Sequence, residues 1–468
     1  MKNDRKIVNF RDAQEYIYNF IPKENATLYP GDFGLRRMKY FMSLFDNPQD
    51  KFKSIHIAGT SGKGSTAYMT SLLLISHGFK VGLILKPHIF DIRERYQINN
   101  KFISERDFCI YVNRLIPKIK RMEKTEYGLP TYAEINTALA YIIFADKKVN
   151  FAVIETYLGG TYDCTNVINR SDKLVVLSKI GFDHTKILGN TLSLIASQKA
   201  GIIQNNNLVI ALAQKAAINQ HFQIRADLKN TKIIYIKSNK NFKNIINTAS
   251  GILFDYYLSI PNLHIRINKI NLSLHGEFQA ENAALAVTAF ISLAQINNFK
   301  FSESKIRTEF SKANFKGRME ILKVLGKTII LDGAHNPQKM KAFLDSLKAI
   351  YPDRKFTFLV AFMIGKDAKK MLKIITPVAQ RITISSFFVE NQDWIRKAYK
   401  PETLIKYLST EKFIVVDTIS DIKNAFKNAI DNTDDILIIT GSQYFISEIY
   451  KKVKWENGGN KSKSKDVV

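Results

Sequence analysis

The residues with the clearest chemistry lie in the run Gly59-Thr60-Ser61-Gly62-Lys63-Gly64-Ser65-Thr66. Glycines let a backbone turn sharply and come close to a ligand, so the amides of such a turn can converge on phosphate oxygens. A helix starting there adds partial positive charge, and Lys63 adds a full one. The hydroxyl of Ser65 or Thr66 is placed to reach Mg2+. The spacing departs from the common G-x-x-x-x-G-K-[ST] loop, because Gly64 stands between the lysine and the hydroxyl residue. Positive φ is expected at glycines 59, 62 and 64, in a loop that binds nucleotide.

Three more groups could do chemistry beside it. Glu155 ends the apolar run NFAVIE (150–155) and is followed by the turn Gly159–Gly160. Its hard oxygens suit Mg2+. Asp183 and His184 follow the run LVVLSKI (174–180). Histidine is a less usual Mg2+ ligand, so chemistry alone reads His184 as a polar loop residue. Lys199, in SQKAGI, sits in an apolar helical stretch, which by itself reads as a lysine whose stem is buried and whose head reaches water.

Parallel strands under helices would bring these groups to one edge. KSIHIA (53–58), VGLILK (81–86), NFAVIE, LVVLSKI and LVIAL (208–212) are continuous apolar runs, the pattern of a sheet covered on both faces. The helical stretch Ser65–His77 follows the glycine turn and is closed by Gly78. KTIILD (327–332), FTFLVAF (356–362), ITISSF (382–387), FIVV (413–416) and DILIIT (435–440) repeat the arrangement as a second α/β sheet. The expected organisation is an ATP-binding domain over 1–314 and a smaller Rossmann-like domain over 315–455, then a disordered tail over 456–468. Residues 237–275 read as an excursion or irregular strands within the larger domain.

At 468 residues with 46% hydrophobic residues, the chain has material for two buried cores. It carries neither an apolar signal core at its start nor a run of 18 apolar residues, and a soluble, cytoplasmic protein without membrane attachment is expected. Two cysteines, Cys109 and Cys164, give neither a disulfide framework nor a cysteine metal site. The net charge of +27 could serve nucleic acid. Its lysines are scattered, however, and the densest patches lack interleaved aromatics, so no nucleic-acid partner is expected.

Taken together, the motifs resemble the folylpolyglutamate synthase/dihydrofolate synthase family of the Mur ligase superfamily. AGTSGKGST (58–66) is similar to its AGT-N-GKGS loop, and ETYLGGTYDCTN (155–166) to its E-V-G-L-G-G-x-x-D-A-T-N motif. GFDHTKILGNTLSLIASQKAGII (181–203), GEFQAENAALA (276–286), GRMEIL (317–322), LDGAHNP (331–337), GKDAKKML (365–372) and TGSQYF (440–445) follow in the family's order.

The resemblance implies a ligase that joins L-glutamate to a folate or pteroate acid through an acyl phosphate. It implies ATP and two Mg2+ ions: Lys63 and the loop amides on the phosphates, Ser65 and Glu155 on one metal, His184 on the other. Lys199 occupies a position that is often carbamylated, which would make it an oxygen ligand. Gln279 and Asn282 would contact the base region, Arg318 the phosphates, and Asp332 the ribose. His335 belongs to the same cleft, and Lys86, Pro87, His88 and Asp163 to the acid-substrate site. A monomer is implied. Lys86 for serine, Thr156–Tyr157 for Val-Gly and Thr161 for arginine depart from the family pattern. Two other readings stay open: a Mur-type ligase acting on another carboxylate, and a nucleotide- or RNA-binding protein without catalysis.

Overall fold

The structure, a computed structural model, describes residues 6–22, 31–261, 263–393, 395–408 and 414–453. The expected tail and Phe413 lie outside the described residues. The chain divides into two compact units. One comprises Met1–Asn244, Phe254–Ile270 and Gln279–Ser311, the other Ile245–Leu253, Asn271–Phe278 and Lys312–Val468, in each case over the described residues.

In the first unit the apolar runs form strands because each is buried on both faces. They are β1 (Lys53–Ala58), β2 (Val81–Ile84), β5 (Phe151–Glu155), β6 (Leu174–Leu177) and β7 (Leu208–Leu212). Two two-residue strands, β3 (Gln97–Ile98) and β4 (Lys101–Phe102), and β8 (Ile233–Ile236) complete a sheet in the order β4-β3-β2-β5-β1-β6-β7-β8. β2, β5, β1, β6, β7 and β8 run parallel, while β3 and β4 add an antiparallel edge. Hence the loops after β2, β5, β1 and β6 leave the same edge, side by side. That edge is where open α/β sheets bind ligands.

The helix after β1 spans Lys63–Ser76, two residues earlier than expected, and Gly62 is its N-cap. Gly64 therefore lies inside the first helical turn. Of the three loop glycines, Gly62 has a clear left-handed φ of 85° and Gly59, at 159°, is close to extended.

Residues 237–275 are more regular than expected. They form β9 (Phe242–Thr248), β10 (Gly251–Ile260) and β11 (Leu263–Leu272), a three-stranded sheet. Along β10 the side chains of Ile252, Phe254, Tyr256 and Leu258 are buried while the residues between them are not. This period of two is the mark of a half-buried strand, and Leu253 and Tyr257 on the more open face mask it in the sequence.

The second unit holds a six-stranded sheet in the order β12-β13-β19-β14-β15-β18. Its strands are β12 (Glu320–Val324), β13 (Lys327–Asp332), β14 (Phe356–Val360), β15 (Ala379–Ile384), β18 (Val415–Thr418) and β19 (Ile436–Thr440); β16 (Phe388–Val389) and β17 (Arg396–Lys397) pair separately. All of the six are parallel except β12. Two apolar layers flank it, one around Phe343, Phe358 and Met371, the other around Ile329, Phe426 and Phe445. Each unit is thus an α/β sheet with its own core. No described helix is long and apolar enough to cross a membrane.

Candidate active site

The glycine loop is anchored by its neighbour strand β6. Thr60 N–H and Ser61 N–H both donate to the Lys179 carbonyl, at 2.8 and 3.1 Å. Ser178 Oγ donates to the Ser61 carbonyl at 2.8 Å, and Thr60 Oγ1 donates to the Gly181 carbonyl at 3.0 Å. The amides of residues 60 and 61 are therefore engaged in holding the loop. The N–H groups free of intrahelical partners are those of the first helical turn, Lys63, Gly64 and Ser65, aligned with the helix dipole. Gly62 has no alternative: a Cβ there would come within 2.1 Å of Asn282 Oδ1, besides the strain of its φ. Asn282 in turn donates to Gln279 Oε1 at 2.9 Å, both on the helix Phe278–Ile296.

At the end of β5, Glu155 is in register with Ile57 of β1 and nearly buried. Its Oε1 lies 3.6 Å from Lys63 Nζ, and its Oε2 accepts the Lys86 N–H at 3.3 Å. Two sequence-predicted residues, Lys63 after β1 and Lys86 after β2, thus converge on the carboxylate that ends β5.

Lys199 does not reach water. It is 5% exposed, on the helix Leu192–Ala200. Burial drives its pKa well below the usual lysine value, and the Lys63 ammonium pushes the same way, with Asp183 opposing. The snorkelling reading fails because the loop 156–166 wraps this helix. Thr161 N–H and Oγ1 both donate to the Gln198 carbonyl, at 2.8 and 3.1 Å, and Asn166 Nδ2 bridges the Thr161 and Gly201 carbonyls. Gly160 packs so tightly that a Cβ would meet Gln198 O at 2.5 Å and Lys199 Cα at 2.9 Å.

Asp163, assigned by resemblance to the acid site, organises this loop. Its Oδ2 accepts the Leu158 N–H at 2.5 Å, and its Oδ1 accepts the N–H and Oγ1–H of Thr165 at 3.0 and 2.5 Å. Thr165 Oγ1 lies 2.8 Å from Nε2 of the fully buried His56 on β1. Since that hydroxyl donates to Asp163, His56 must donate to it. The sequence reading missed His56 and Thr165; a histidine inside a strand gives no local signal of its partner 109 positions away.

His184 follows β6 in a left-handed conformation, φ 51°, with Nε2 3.8 Å from Asp183 Oδ1. Past β2, the peptide Lys86–Pro87 is cis. Lys86 Nζ donates to the Tyr157 carbonyl and lies 5.1 Å from that ring's centre. His88 is buried, its Nδ1 accepting from Arg95 Nε at 3.0 Å. The departures Lys86 and Tyr157 are therefore one coupled pair.

In the second unit Asp332 ends β13. Its oxygens accept the N–H groups of Met319 and Ala334 at 2.9 and 2.8 Å. Burial raises its pKa to about 6, with nearby Arg318 pulling the other way. Arg318 Cζ lies 5.9 Å from the Phe315 ring centre, and His335 makes contacts through Nδ1 to the Gly333 carbonyl and through Nε2 to Lys339 Nζ, both at 2.9 Å.

Among the described residues no three His, Cys, Asp or Glu side chains gather as an all-protein metal cage. The donor set still fits Mg2+ held together with phosphates and water, since Glu155 and Ser65 offer hard oxygens. Buried Ser61 Oγ, Thr66 Oγ1 and Gln279 Nε2 have no hydrogen-bond partner among the described residues.

Residues 57–290 match the Mur ligase middle domain, and residues 318–452 the C-terminal domain of dihydrofolate synthetase. The chain is 30% identical over 438 residues to the dihydrofolate synthase/folylpolyglutamate synthase of Bacillus subtilis, covering 90% of this chain and 95% of that one. It is 30% identical over 442 residues to a probable dihydrofolate synthetase of Schizosaccharomyces pombe, covering 91% and 99%. Its fold is similar to the crystal structure of folylpolyglutamate synthase from Thermotoga maritima, with a TM-score of 0.76 at 28% identity over 95% of this chain and 97% of that chain. The chain belongs to the folylpolyglutamate synthase/dihydrofolate synthase family of Mur-type ligases, enzymes that use ATP to join glutamate to a folate-type acid.

Proposed function

We propose that this protein lengthens a folate-type acid, dihydropteroate or a reduced folate, by L-glutamate at the edge of the β2-β5-β1-β6 strands. The observation that carries the reading is Glu155, held by Lys63 of the phosphate loop and the Lys86 N–H, with buried Lys199 near enough to feel the charges of both lysines. The acid's carboxylate attacks the γ-phosphorus of ATP, ADP leaves, and an acyl phosphate forms. The glutamate amine then attacks the acyl carbon, and phosphate departs with one oxygen of the original carboxylate. Lys63 and the first-turn amides stabilise the charge that moves onto the phosphoryl oxygens. Mg2+, held by Ser65, Glu155 and His184, would supply further charge neutralisation. Asp163 keeps the 156–166 loop over Lys199, and that loop excludes water from the lysine.

Lys199 serves this site as a carbamate in the same proposal. Burial favours its neutral amine, the form that adds CO2 and releases a proton. Isotopically labelled CO2 and NMR test this: a carbamate signal lost in Lys199→Met is expected, and a spectrum without it rules the carbamate out. Nucleotide roles for Gln279, Asn282, Arg318, Asp332 and His335 belong to the same reading, as do a monomeric state and a cytoplasmic location. ADP formation with dihydropteroate, tetrahydrofolate and a UDP-muramoyl acid, each with and without glutamate, tests the substrate class. Glutamate-dependent ADP with a folate-type acid supports it, and turnover only with the muramoyl acid overturns it.

A further inference from the structure

The side chains of Lys179 and Glu281 belong to none of the roles above, yet they close a ring around the phosphate loop. Lys179 follows β6 and forms an isolated antiparallel bridge with Ser61. Its carbonyl takes the N–H groups of Thr60 and Ser61 at 2.8 and 3.1 Å. Its ammonium reaches the other way, 3.3 Å from Glu281 Oε2. Glu281 sits in the first turn of the helix Phe278–Ile296, its carboxylate largely buried; burial raises its pKa, and Lys179 is the group that opposes the rise. The next residue, Asn282, is the one whose Oδ1 abuts Gly62. The circuit therefore runs from Ser61 to Lys179, across the ion pair to Glu281, along one peptide to Asn282, and back to the loop at Gly62. Every link but the ion pair is backbone or close packing.

We infer that Lys179 and Glu281 are a positioning pair for nucleotide: they fix the helix bearing Gln279 and Asn282 against the phosphate loop without themselves touching ATP. Opening the ring loosens the spacing between the loop and that helix, which a nucleotide must bridge. The acid substrate, on the β2 and β5 side of the sheet edge, is unaffected. Because the lysine is partly exposed, with 40% of its side chain accessible, solvent screens the pair and the effect is modest.

The inference rests on the reading that the loop binds nucleotide, so the test begins with ADP binding to the full chain by calorimetry. If the unaltered protein binds no ADP, the loop reading itself falls, and with it this inference. If it binds, Glu281→Gln and Lys179→Met should each weaken ADP by about fivefold, about 1 kcal/mol. KM for ATP should rise in step, with kcat and the KM of the acid within about twofold. The reversed pair, Lys179→Glu with Glu281→Lys, should recover most of the loss, which a generally loosened fold would not do. Unchanged ADP affinity in Glu281→Gln, or an equal fall in kcat with no recovery in the reversed pair, overturns it.

Discussion

Glu155 and Asp332 hold the same kind of position in two different sheets, and neighbours make them different groups. Each is the last residue of a buried parallel strand, β5 in the first unit and β13 in the second. Glu155 faces the Lys63 ammonium and takes one backbone N–H, at 3.3 Å. Asp332 gives an oxygen to each of two backbone N–H groups within its own turn, and burial raises its pKa to about 6. A strand-end carboxylate is thus left for cation chemistry where a lysine from the helix after the neighbouring strand faces it, and becomes a turn organiser where its own loop folds back. Asp163 belongs to the second type, although its motif lies beside Glu155.

Substitutions can break this contrast. The largest effect is expected for Lys63→Ala, which removes the cation that defines Glu155. Ligation should fall by about 10³-fold, with the melting temperature nearly unchanged. Near-normal turnover would remove the loop from the chemistry. Glu155→Gln keeps the shape and loses the charge, and steady-state rates should drop by about 10²-fold. Gly160→Ala drives a methyl into the backbone beside Lys199. It should cost about 1–3 kcal/mol in a denaturant titration, with loss of activity, because that backbone cannot move without moving the lysine.

The smallest effect sharpens the other side. Asp332 has a folded pKa raised above the ordinary aspartate value of 3.8, so the folded state holds its proton more tightly. Its contribution to stability is full below pH 3.8 and is lost as pH rises through about 6. The melting-temperature difference between the unaltered protein and Asp332→Asn should therefore shift in favour of the unaltered protein from pH 7.5 to pH 5. A pH-independent difference would mean that Asp332 is not held as described.

Much of this was legible in the sequence because the signals are local. The continuous apolar runs marked β1, β2, β5, β6 and β7, and the strand–glycine–helix order marked the loop. The hidden parts depend on groups far apart in the chain. Nothing near Lys199 announces that Thr161 and Asn166 will seal it, nothing near Asp163 announces His56, and Lys179 meets Glu281 across 102 positions. β3 and β4, of two residues each, are too short for periodicity to register. β10 is obscured because Leu253 and Tyr257 put apolar residues on its open face, and β11 because the exposed pair Asn268–Lys269 breaks its alternation.

The most direct test of the central claim, that this edge activates a carboxylate through an acyl phosphate, is to follow an oxygen. The folate-type acid is prepared with heavy oxygen in the reacting carboxylate and turned over with ATP and glutamate, and the released phosphate is weighed. One labelled oxygen per phosphate is predicted for the unaltered protein. Unlabelled phosphate formed alongside the glutamylated product would contradict the account.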